Sequence, residues 1–335
     1  MLRFTIRRLI LIIPVLLGLT VLVFAIGRLL PGDPIALAAG PNATHADIER
    51  LSREFGFDQP VYVQYWHYLT GLLRGDWGQS IFTRRPVLAD LAVFLPATLE
   101  LVFAALAFAI LIGVPAGVLA AVYRDRWPDF LTRFACLGAI SMPRFFLGLM
   151  LQLGFAMALG WLPLTGRFPL TLDPPPAVTG LLTVDAFIAG NGTAFWTAMA
   201  HLALPALATA LSPLASIARM MRASTIEVLQ QDYVVTETAL GLKPSLILCK
   251  YVFKNAFSAT LTVIGLYVGW LLGGTVLVET VFDWPGIGLY ATKSILSQDF
   301  TPVIGVTLMI GILFIMSNLL VDLLYGIFNP KVRYE

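Results

Sequence analysis

Six long apolar runs alternate with polar segments along the 335 residues of the chain. A helix needs about 20 apolar residues to cross the hydrocarbon of a bilayer, and each run has about that length. The runs cover residues 9–27, 101–123, 134–160, 195–218, 255–278 and 300–324. They are continuous rather than short and alternating, so they predict helices instead of barrel strands. The predicted fold class is all-α, a polytopic membrane protein with six transmembrane helices.

The composition excludes several classes of protein. Hydrophobic residues make up 58% of the chain and charged residues only 13%, whereas soluble domains average about 45–50% and 25%. So few charges cannot cover a soluble surface of this size. This argues against a soluble enzyme, a disordered chain and a nucleic-acid-binding protein. The two cysteines, Cys136 and Cys249, cannot build a disulfide framework.

The basic residues near the span ends predict the orientation, because Lys and Arg accumulate in cytoplasmic loops. One side carries 13 of them: Arg3, Arg7, Arg8, Arg124, Arg126, Arg133, Arg219, Arg222, Lys243, Lys250, Lys254, Lys331 and Arg333. The other side carries seven: Arg50, Arg53, Arg74, Arg84, Arg85, Arg167 and Lys293. The richer side also has the shorter loops. Both termini are therefore predicted to be cytoplasmic.

The first span resembles a signal peptide in its basic start, but its apolar run exceeds the usual stretch of about 7–15 residues. We expect it to be retained, so that residues 1–29 form a cytoplasmic tip and the first helix. Residues 30–96 then form an outer loop, with short helices predicted at 44–55 and 60–73. This loop could dock a partner or gate a path, or it could be a solvated cap.

The inner loop at 219–254 is polar and yet rich in helix-forming residues. Helices are predicted at 224–235 and 236–242, because Gly241 and the following Lys243-Pro244 form a stop signal. Two short helices around a break suit docking onto a soluble partner, although the loop could be a simple connector. Residues 97–326 would form the transmembrane domain around this loop, and 327–335 a cytoplasmic tail.

Arg144 is the one charge deep inside a predicted span. A cation at that depth costs about 2.5–3.5 kcal/mol and usually faces a polar cavity. It could contact an anionic group of a substrate, such as a carboxylate. It could instead pair with Glu279 or Glu100 inside the protein, or the span could be shifted.

Motifs for chemistry are missing from the sequence. It contains no P-loop, and Gly286 and Gly288 are expected to form a turn. The histidines, His45, His67 and His201, have no metal-ligand spacing. No G-x-S-x-G motif surrounds Ser141, so a protease pair with His201 is disfavoured. His201 could face a pore or could bond to a neighbouring carbonyl group.

Five stretches, in order along nearly the whole chain, are similar to a known family. They are LPGDP at 30–34; GFDQP at 56–60 with GDWGQS at 75–80; PATLEL at 96–101; RASTIEVLQQDY at 222–233 with ALG at 239–241 and Asn255-Ala256; and VETVF at 278–282 with PGIG at 285–288. Each is weak alone, but together they resemble the dipeptide/oligopeptide/nickel branch of ABC importer permeases. The type with a long outer loop after the first span fits best.

The resemblance implies a type I ABC importer transmembrane domain in a bacterial inner membrane. A second homologous permease, two cytoplasmic ATPases and a periplasmic binding protein would be its partners, with membrane lipid around it. The chain itself would hold no cofactor and do no catalysis, since ATP and Mg²⁺ would bind the ATPases. Dipeptides, longer peptides, modified peptides and nickel complexes all share this architecture. An ion-coupled carrier or channel acting alone is the alternative function, and a membrane scaffold or enzyme a third.

The resemblance also assigns candidate residues. The coupling helix that seats in an ATPase would contain Thr236, Glu237, Thr238, Ala239, Leu240, Gly241 and Leu242, supported by Arg222, Glu227, Asp232, Tyr233 and Asn255. Candidates for the substrate path are Arg144, Ser141, His201 and Glu279. Candidates for docking the binding protein are Asp33, Asp58, Gln59, Asp76 and Asp283. The sequence departs from the family at Thr236–Leu240, which lacks the usual basic residues, at Tyr251 in place of histidine, and at Arg144.

Overall fold

A computed structural model describes residues 2–29, 44, 46, 50, 53 and 58–328 of the chain. Its first helices are α1 (Leu2–Leu29), α2 (Val61–Leu73) and α3 (Val87–Val122). They are followed by α4 (Trp127–Ser141), α5 (Arg144–Ala158), α6 (Leu182–Ile188) and α7 (Gly192–Leu229). The last are α8 (Asp232–Ala239), α9 (Pro244–Gly274), α10 (Val276–Val281), α11 (Ile287–Leu296) and α12 (Phe300–Phe328). The predicted all-α class is confirmed.

Each predicted span falls on a helical segment. In the described part of the chain, four helices are long and apolar enough to cross a membrane: Val87–Val122, Gly192–Leu229, Pro244–Gly274 and Phe300–Val321. The pair α4 and α5 meets the same test when taken together. The first predicted span lies within α1, whose stretch Ile10–Ile26 is a shorter apolar helix.

The helix predicted over 134–160 is broken in two. Helices α4 and α5 meet at an angle of 108°, and Met142 between them is extended, with φ −102° and ψ 136°. Met142 precedes Pro143, and the residue before a proline is pushed out of the helical conformation by the pyrrolidine ring. The third predicted span therefore consists of two helices rather than one continuous helix.

Other predicted boundaries also move. Helix α3 begins at Val87, inside the predicted outer loop of 30–96. The prediction ended the loop at Pro96, but this proline lies within the helix. Helix α7 continues to Leu229, so the break in the inner loop falls at Gln230 and Gln231 rather than after Val235. In the outer loop, α2 matches the helix predicted at 60–73. The helix predicted at 44–55 lies mostly outside the described residues.

The described residues fall into two compact units. One contains Pro96–Leu289 together with the helix residues from Phe314 onward, and the other contains Leu2–Leu95 with Tyr290–Leu313. In the second unit, Tyr65 of α2 contacts α1 through the ring of Phe24, with centroids 5.4 Å apart, and through the hydroxyl of Thr20 at 2.9 Å.

Helix α7 is the centre of the first unit. Small side chains on it, such as Ala206, Ala210 and Ala218, are buried against α3, α4, α9 and α10. Small residues let helix backbones approach closely where lipid gives no hydrophobic drive to association. Asn191 begins α7 by accepting a hydrogen bond from the N–H of Ala194 at 3.0 Å, the usual role of an N-terminal cap.

Glycines of α3 make the closest of these approaches. A Cβ placed on Gly117 would lie 2.5 Å from the carbonyl oxygen of Ala218, and one on Gly113 would lie 2.9 Å from that of Leu214. Both contacts are with α7. Because the G-x-x-x-G pair on α3 packs inside the chain, it is not free to face another subunit.

We expect Gly117→Ala to destabilise the protein, because the new methyl group has no room against α7. Overpacking of this kind costs about 1–3 kcal/mol. The matched control is Gly138→Ala in α4, where nothing lies within 4 Å of the added Cβ and alanine favours the helix. Thermal unfolding of the purified protein in detergent measures both variants. Equal melting temperatures for the two would contradict the close packing of α3 on α7.

Candidate functional site

Glu279 is the buried centre of a joint in the first unit. It lies in α10 and is 0% exposed. Its Oε1 accepts hydrogen bonds from the hydroxyls of Thr98 and Thr275, both at 2.8 Å. Its Oε2 accepts hydrogen bonds from the N–H groups of Gly288 at 2.7 Å and Leu289 at 3.1 Å. A buried carboxylate needs such a set of donors in place of water.

The surrounding residues close this joint. The hydroxyl of Thr98 accepts a further hydrogen bond from the N–H of Ile287 at 2.9 Å. Trp284 donates its indole N–H to the carbonyl oxygen of Ala97 at 2.8 Å. Gly286 has no space for a side chain, because a Cβ there would meet Glu279 and Thr98. The joint therefore connects two of the family-like stretches, 96–101 and 278–288. In the single chain Glu279 is fully enclosed by this joint, and its place among the candidates for the substrate path stays a prediction.

Glu100 forms a second joint, with the segment after α5. Its Oε2 lies 2.9 Å from Nε and 2.6 Å from Nη2 of Arg167. Its Oε1 accepts hydrogen bonds from the N–H and the hydroxyl of Thr183, each at 2.7 Å. Glu100 is thus satisfied by Arg167, and the pair with Arg144 that the sequence left open is not formed.

Asp185 holds the same segment. Its Oδ1 accepts hydrogen bonds from the N–H and the hydroxyl of Thr179, each at 2.7 Å, and its Oδ2 accepts one from the N–H of Gly180 at 3.0 Å. Burial raises the pKa of the Asp185 carboxyl, but these hydrogen bonds outweigh burial and hold the pKa below its ordinary value. The ionised carboxylate therefore stabilises this turn above the ordinary aspartate pKa, and the stabilisation is lost as the pH falls through the lowered pKa.

His201 and Ser141 do not form a catalytic pair. The Nδ1 atom of His201 lies 3.0 Å from the carbonyl oxygen of Gly166, and Ser141 donates its hydroxyl hydrogen to the carbonyl oxygen of Leu137 at 2.7 Å. The first contact matches the expectation of a bond to a neighbouring carbonyl group.

Arg144 is half-buried at the start of α5, and its Nη1 donates to the carbonyl oxygen of Gly274 at 3.1 Å.

Arg222 forms a buried ion pair with Asp129. Its Nε and Nη2 donate to the two carboxylate oxygens at 2.7 and 2.8 Å, and the side chain of Asp129 is 0% exposed. This two-pronged geometry is the strongest form of an arginine–carboxylate contact. The N–H of Asp125 also donates to Asp129 at 3.0 Å. The end of α7 is thereby tied to the start of α4, just before the inner loop.

The inner loop folds around a small apolar core. Val234 of α8 is buried against Ile247 and Val252 of α9. Asn255 donates through Nδ2 to the hydroxyl of Tyr233 at 3.0 Å, which fixes α8 to the same helix. Of the predicted supporting residues, Arg222, Tyr233 and Asn255 therefore make these contacts, although Tyr233 and Asn255 are exposed, as Glu227 and Asp232 are.

Much of the rest of α8 is exposed and partly apolar. Val235 is 61% exposed, and Leu240, directly after the helix, is 73% exposed. Gly241 has φ +76°, a backbone conformation that residues other than glycine rarely adopt, and it turns the chain toward α9. The short helix runs over Asp232–Ala239 rather than the predicted 236–242. Gln231 has an extended backbone, and the helix begins at the next residue, Asp232.

The candidates for docking a binding protein are at the surface where they are described. In the second unit, Asp58, Gln59 and Asp76 are exposed, and Asp76 accepts a hydrogen bond from the N–H of Gly78 at 3.1 Å. In the first unit, Asp283 is exposed at a positive φ of 46°. Asp33 lies outside the described residues. Within the described ranges, no group of three or more His, Cys, Asp or Glu side chains could hold a metal ion.

Sequence reasoning missed most of the partners in these joints, among them Asp129, Thr98 and Arg167. Asp129 stands among the basic residues Arg124, Arg126 and Arg133, and an acid in that setting is a signal for an internal ion pair. Thr98 and Arg167 carry no such signal, because their partners are far away along the chain. Only the folded structure brings them to Glu279 and Glu100.

Comparisons with known proteins agree along the whole chain. Residues 113–334 match the family described as binding-protein-dependent transport system inner membrane component, and residues 1–102 match its N-terminal counterpart. The probable D,D-dipeptide transport system permease protein of Escherichia coli strain K12 is 45% identical, over 95% of this chain and 94% of that protein. The dipeptide transport system permease protein of Alkalihalophilus pseudofirmus is 42% identical over 100% of both chains. The di/tripeptide transport system permease protein of Pseudomonas aeruginosa is also 42% identical over 100% of both.

The Glu279 joint predicts unequal effects of two substitutions. In Glu279→Gln the amide oxygen can still accept from Gly288 and Leu289, while the threonine hydroxyls rotate to accept from its NH₂. Glu279→Met has no strong acceptor and leaves buried donors unpaired, at about 1–3 kcal/mol for each group. We therefore expect Glu279→Met to melt well below Glu279→Gln in detergent. Equal melting temperatures would show that the carboxylate does not hold the joint.

Proposed function

The chain belongs to the family of inner membrane components of binding-protein-dependent transport systems, and on that premise we propose that it forms half of a path for peptides across the inner membrane. It is a permease subunit of an ATP-driven importer and not an enzyme. A second homologous permease would supply the other half of the path. The relatives named for D,D-dipeptides, dipeptides and di/tripeptides support short peptides as the substrate class.

Helix α8 would be the coupling helix that seats in an ATPase. The single observation that carries this assignment is its two-sided packing: Val234 is anchored in the protein, while Val235 and Leu240 are left in solvent. Exposed apolar side chains on an anchored helix are typical of a helix that docks into a groove. Within the predicted coupling segment of Thr236 to Leu242, Leu240 would contact the ATPase together with Val235, in place of the basic residues common in the family. Leu242 instead packs against the core around Val234.

Movement of α8 would reach α9 directly, and it would reach α4 through the end of α7, the helix that precedes α8. Asn255 and the Val234 core connect α8 to α9, and the ion pair of Arg222 with Asp129 connects the end of α7 to α4. ATP-driven closure of the ATPases would then tilt these helices together and open the path outward. ATP and Mg²⁺ would bind only the ATPase subunits.

The orientation predicted from the basic residues would put both termini and α8 in the cytoplasm. It would leave Asp58, Gln59, Asp76 and Asp283, together with Asp33, on the periplasmic side, where a binding protein delivers the substrate. The exposure of the four described residues supports their role in docking. Membrane lipid would surround the apolar faces of the spans.

Leu240→Glu tests the coupling helix. Because a charge would replace an apolar contact, we expect the purified permease pair to lose its ATPases and to lose ATP-driven dipeptide uptake in proteoliposomes. The matched control is Leu170→Glu, in the segment between α5 and α6, at a leucine that is fully exposed. This variant should keep both ATPases and uptake. Retention of the ATPases and of uptake by Leu240→Glu would contradict the docking role of α8.

A further inference from the structure

We propose that Arg144 binds the carboxylate group of the transported peptide. The inference rests on the proposed function and adds the chemical group that the permease itself recognises. It concerns a residue that departs from the family resemblance, so the resemblance assigns it no role. Three observations support the proposal: the contacts of the guanidinium group, the lack of an acidic partner for it among the described residues, and the break between α4 and α5 beside it.

The guanidinium group of Arg144 stacks on an aromatic ring, but no described carboxylate neutralises its charge. Its central carbon lies 3.7 Å from the centroid of the Trp270 ring, a stacking contact that fixes the plane of the group. The Nη1 atom donates to the carbonyl oxygen of Gly274, and Nη2 is buried without a hydrogen-bond partner. Nη2 therefore keeps unused donor capacity on a cation whose plane lies against Trp270.

The acids that could have neutralised Arg144 are engaged elsewhere. Glu100 is paired with Arg167, and Glu279 accepts from two hydroxyls and two backbone N–H groups. None of the ion pairs formed by described residues includes Arg144. A buried cation without an acidic partner is costly, so a fixed internal pair does not explain this arginine.

The local backbone is suited to a polar path. Arg144 directly follows the break between α4 and α5, and Pro143 offers no side-chain cap to the first turn of α5. Non-helical backbone at membrane depth is tolerated where it is buried in protein or lines a water-filled cavity. Here Ser141 and Met142 beside the break are exposed in the single chain. The break therefore supports a polar cavity at Arg144, which the second permease would help to enclose.

A carboxylate is the ligand chemistry that fits this group. Two parallel N–H···O bonds match a planar guanidinium fork to a carboxylate, and lysine cannot reproduce that geometry. Peptides with a free C-terminus carry such a group, and peptide amides do not. Arg144 would thus favour peptides with a free carboxylate over neutral ones, in addition to any selection by the binding protein.

The test compares two probes in proteoliposomes that contain both permeases, both ATPases and the binding protein. The probes are alanyl-alanine and its C-terminal amide, each supplied at a concentration that saturates the binding protein. In Arg144→Gln we expect uptake of alanyl-alanine to fall about tenfold or more, since hydrogen bonds to charged groups are strong. Uptake of the amide should change less than about twofold. Arg144→Lys should be intermediate for alanyl-alanine.

Controls separate this inference from a structural role and from the proposed function. Arg124→Gln removes an arginine whose side chain is 54% exposed, and it should leave the uptake of both probes unchanged. An equal loss of both probes in Arg144→Gln would assign Arg144 to structure, and unchanged uptake of alanyl-alanine would also overturn the inference. If the wild-type complex itself shows no ATP-dependent uptake of alanyl-alanine, the proposed function fails rather than the role of Arg144.

Discussion

The need to satisfy polar groups inside a membrane-embedded bundle underlies this structure. With lipid around the spans, water cannot solvate a buried carboxylate, so the protein must supply the donors itself. Glu279 and Glu100 each collect donors from segments that are distant in sequence, and Asp129 receives both prongs of Arg222. These joints fix where helices begin, end and turn. The small residues of α7 then allow the helices to close around them.

Arg144 differs from the three acids in that its partner set is incomplete. The same constraint that explains the joints therefore singles out this cation, because a guanidinium with a buried and unpaired Nη2 invites a partner from outside the chain. Within the described chain, helix α8 also lacks partners for some of its side chains. The apolar residues Val235 and Leu240 are exposed to solvent, although Val234 beside them is buried. Among the described residues, Arg144 lacks an ionic partner, and Val235 and Leu240 lack apolar partners. We propose that the permease binds its substrate at the first place and its ATPases at the second.

Much of this could be predicted from the sequence, for identifiable physical reasons. Apolar runs gave the helices because length and hydropathy alone decide whether a segment can span a bilayer. The proline signals were harder to interpret: Pro143 breaks a helix, whereas Pro96 and Pro205 lie inside helices. The joints could not be predicted, because Thr98 and Glu279 are 181 positions apart and nothing local links them. For the same reason the sequence could not show that Glu279, a candidate for the substrate path, is buried in a joint.

We propose that this chain carries peptides only as part of an ATP-driven assembly, with ATPases docked at α8. The most direct measurement is uptake of a dipeptide into proteoliposomes that contain the permease pair, with and without the ATPase subunits and ATP. We expect uptake only when the ATPases, ATP and the binding protein are all present. Dipeptide uptake by this chain alone, driven by an ion gradient or by the dipeptide gradient itself, would contradict it.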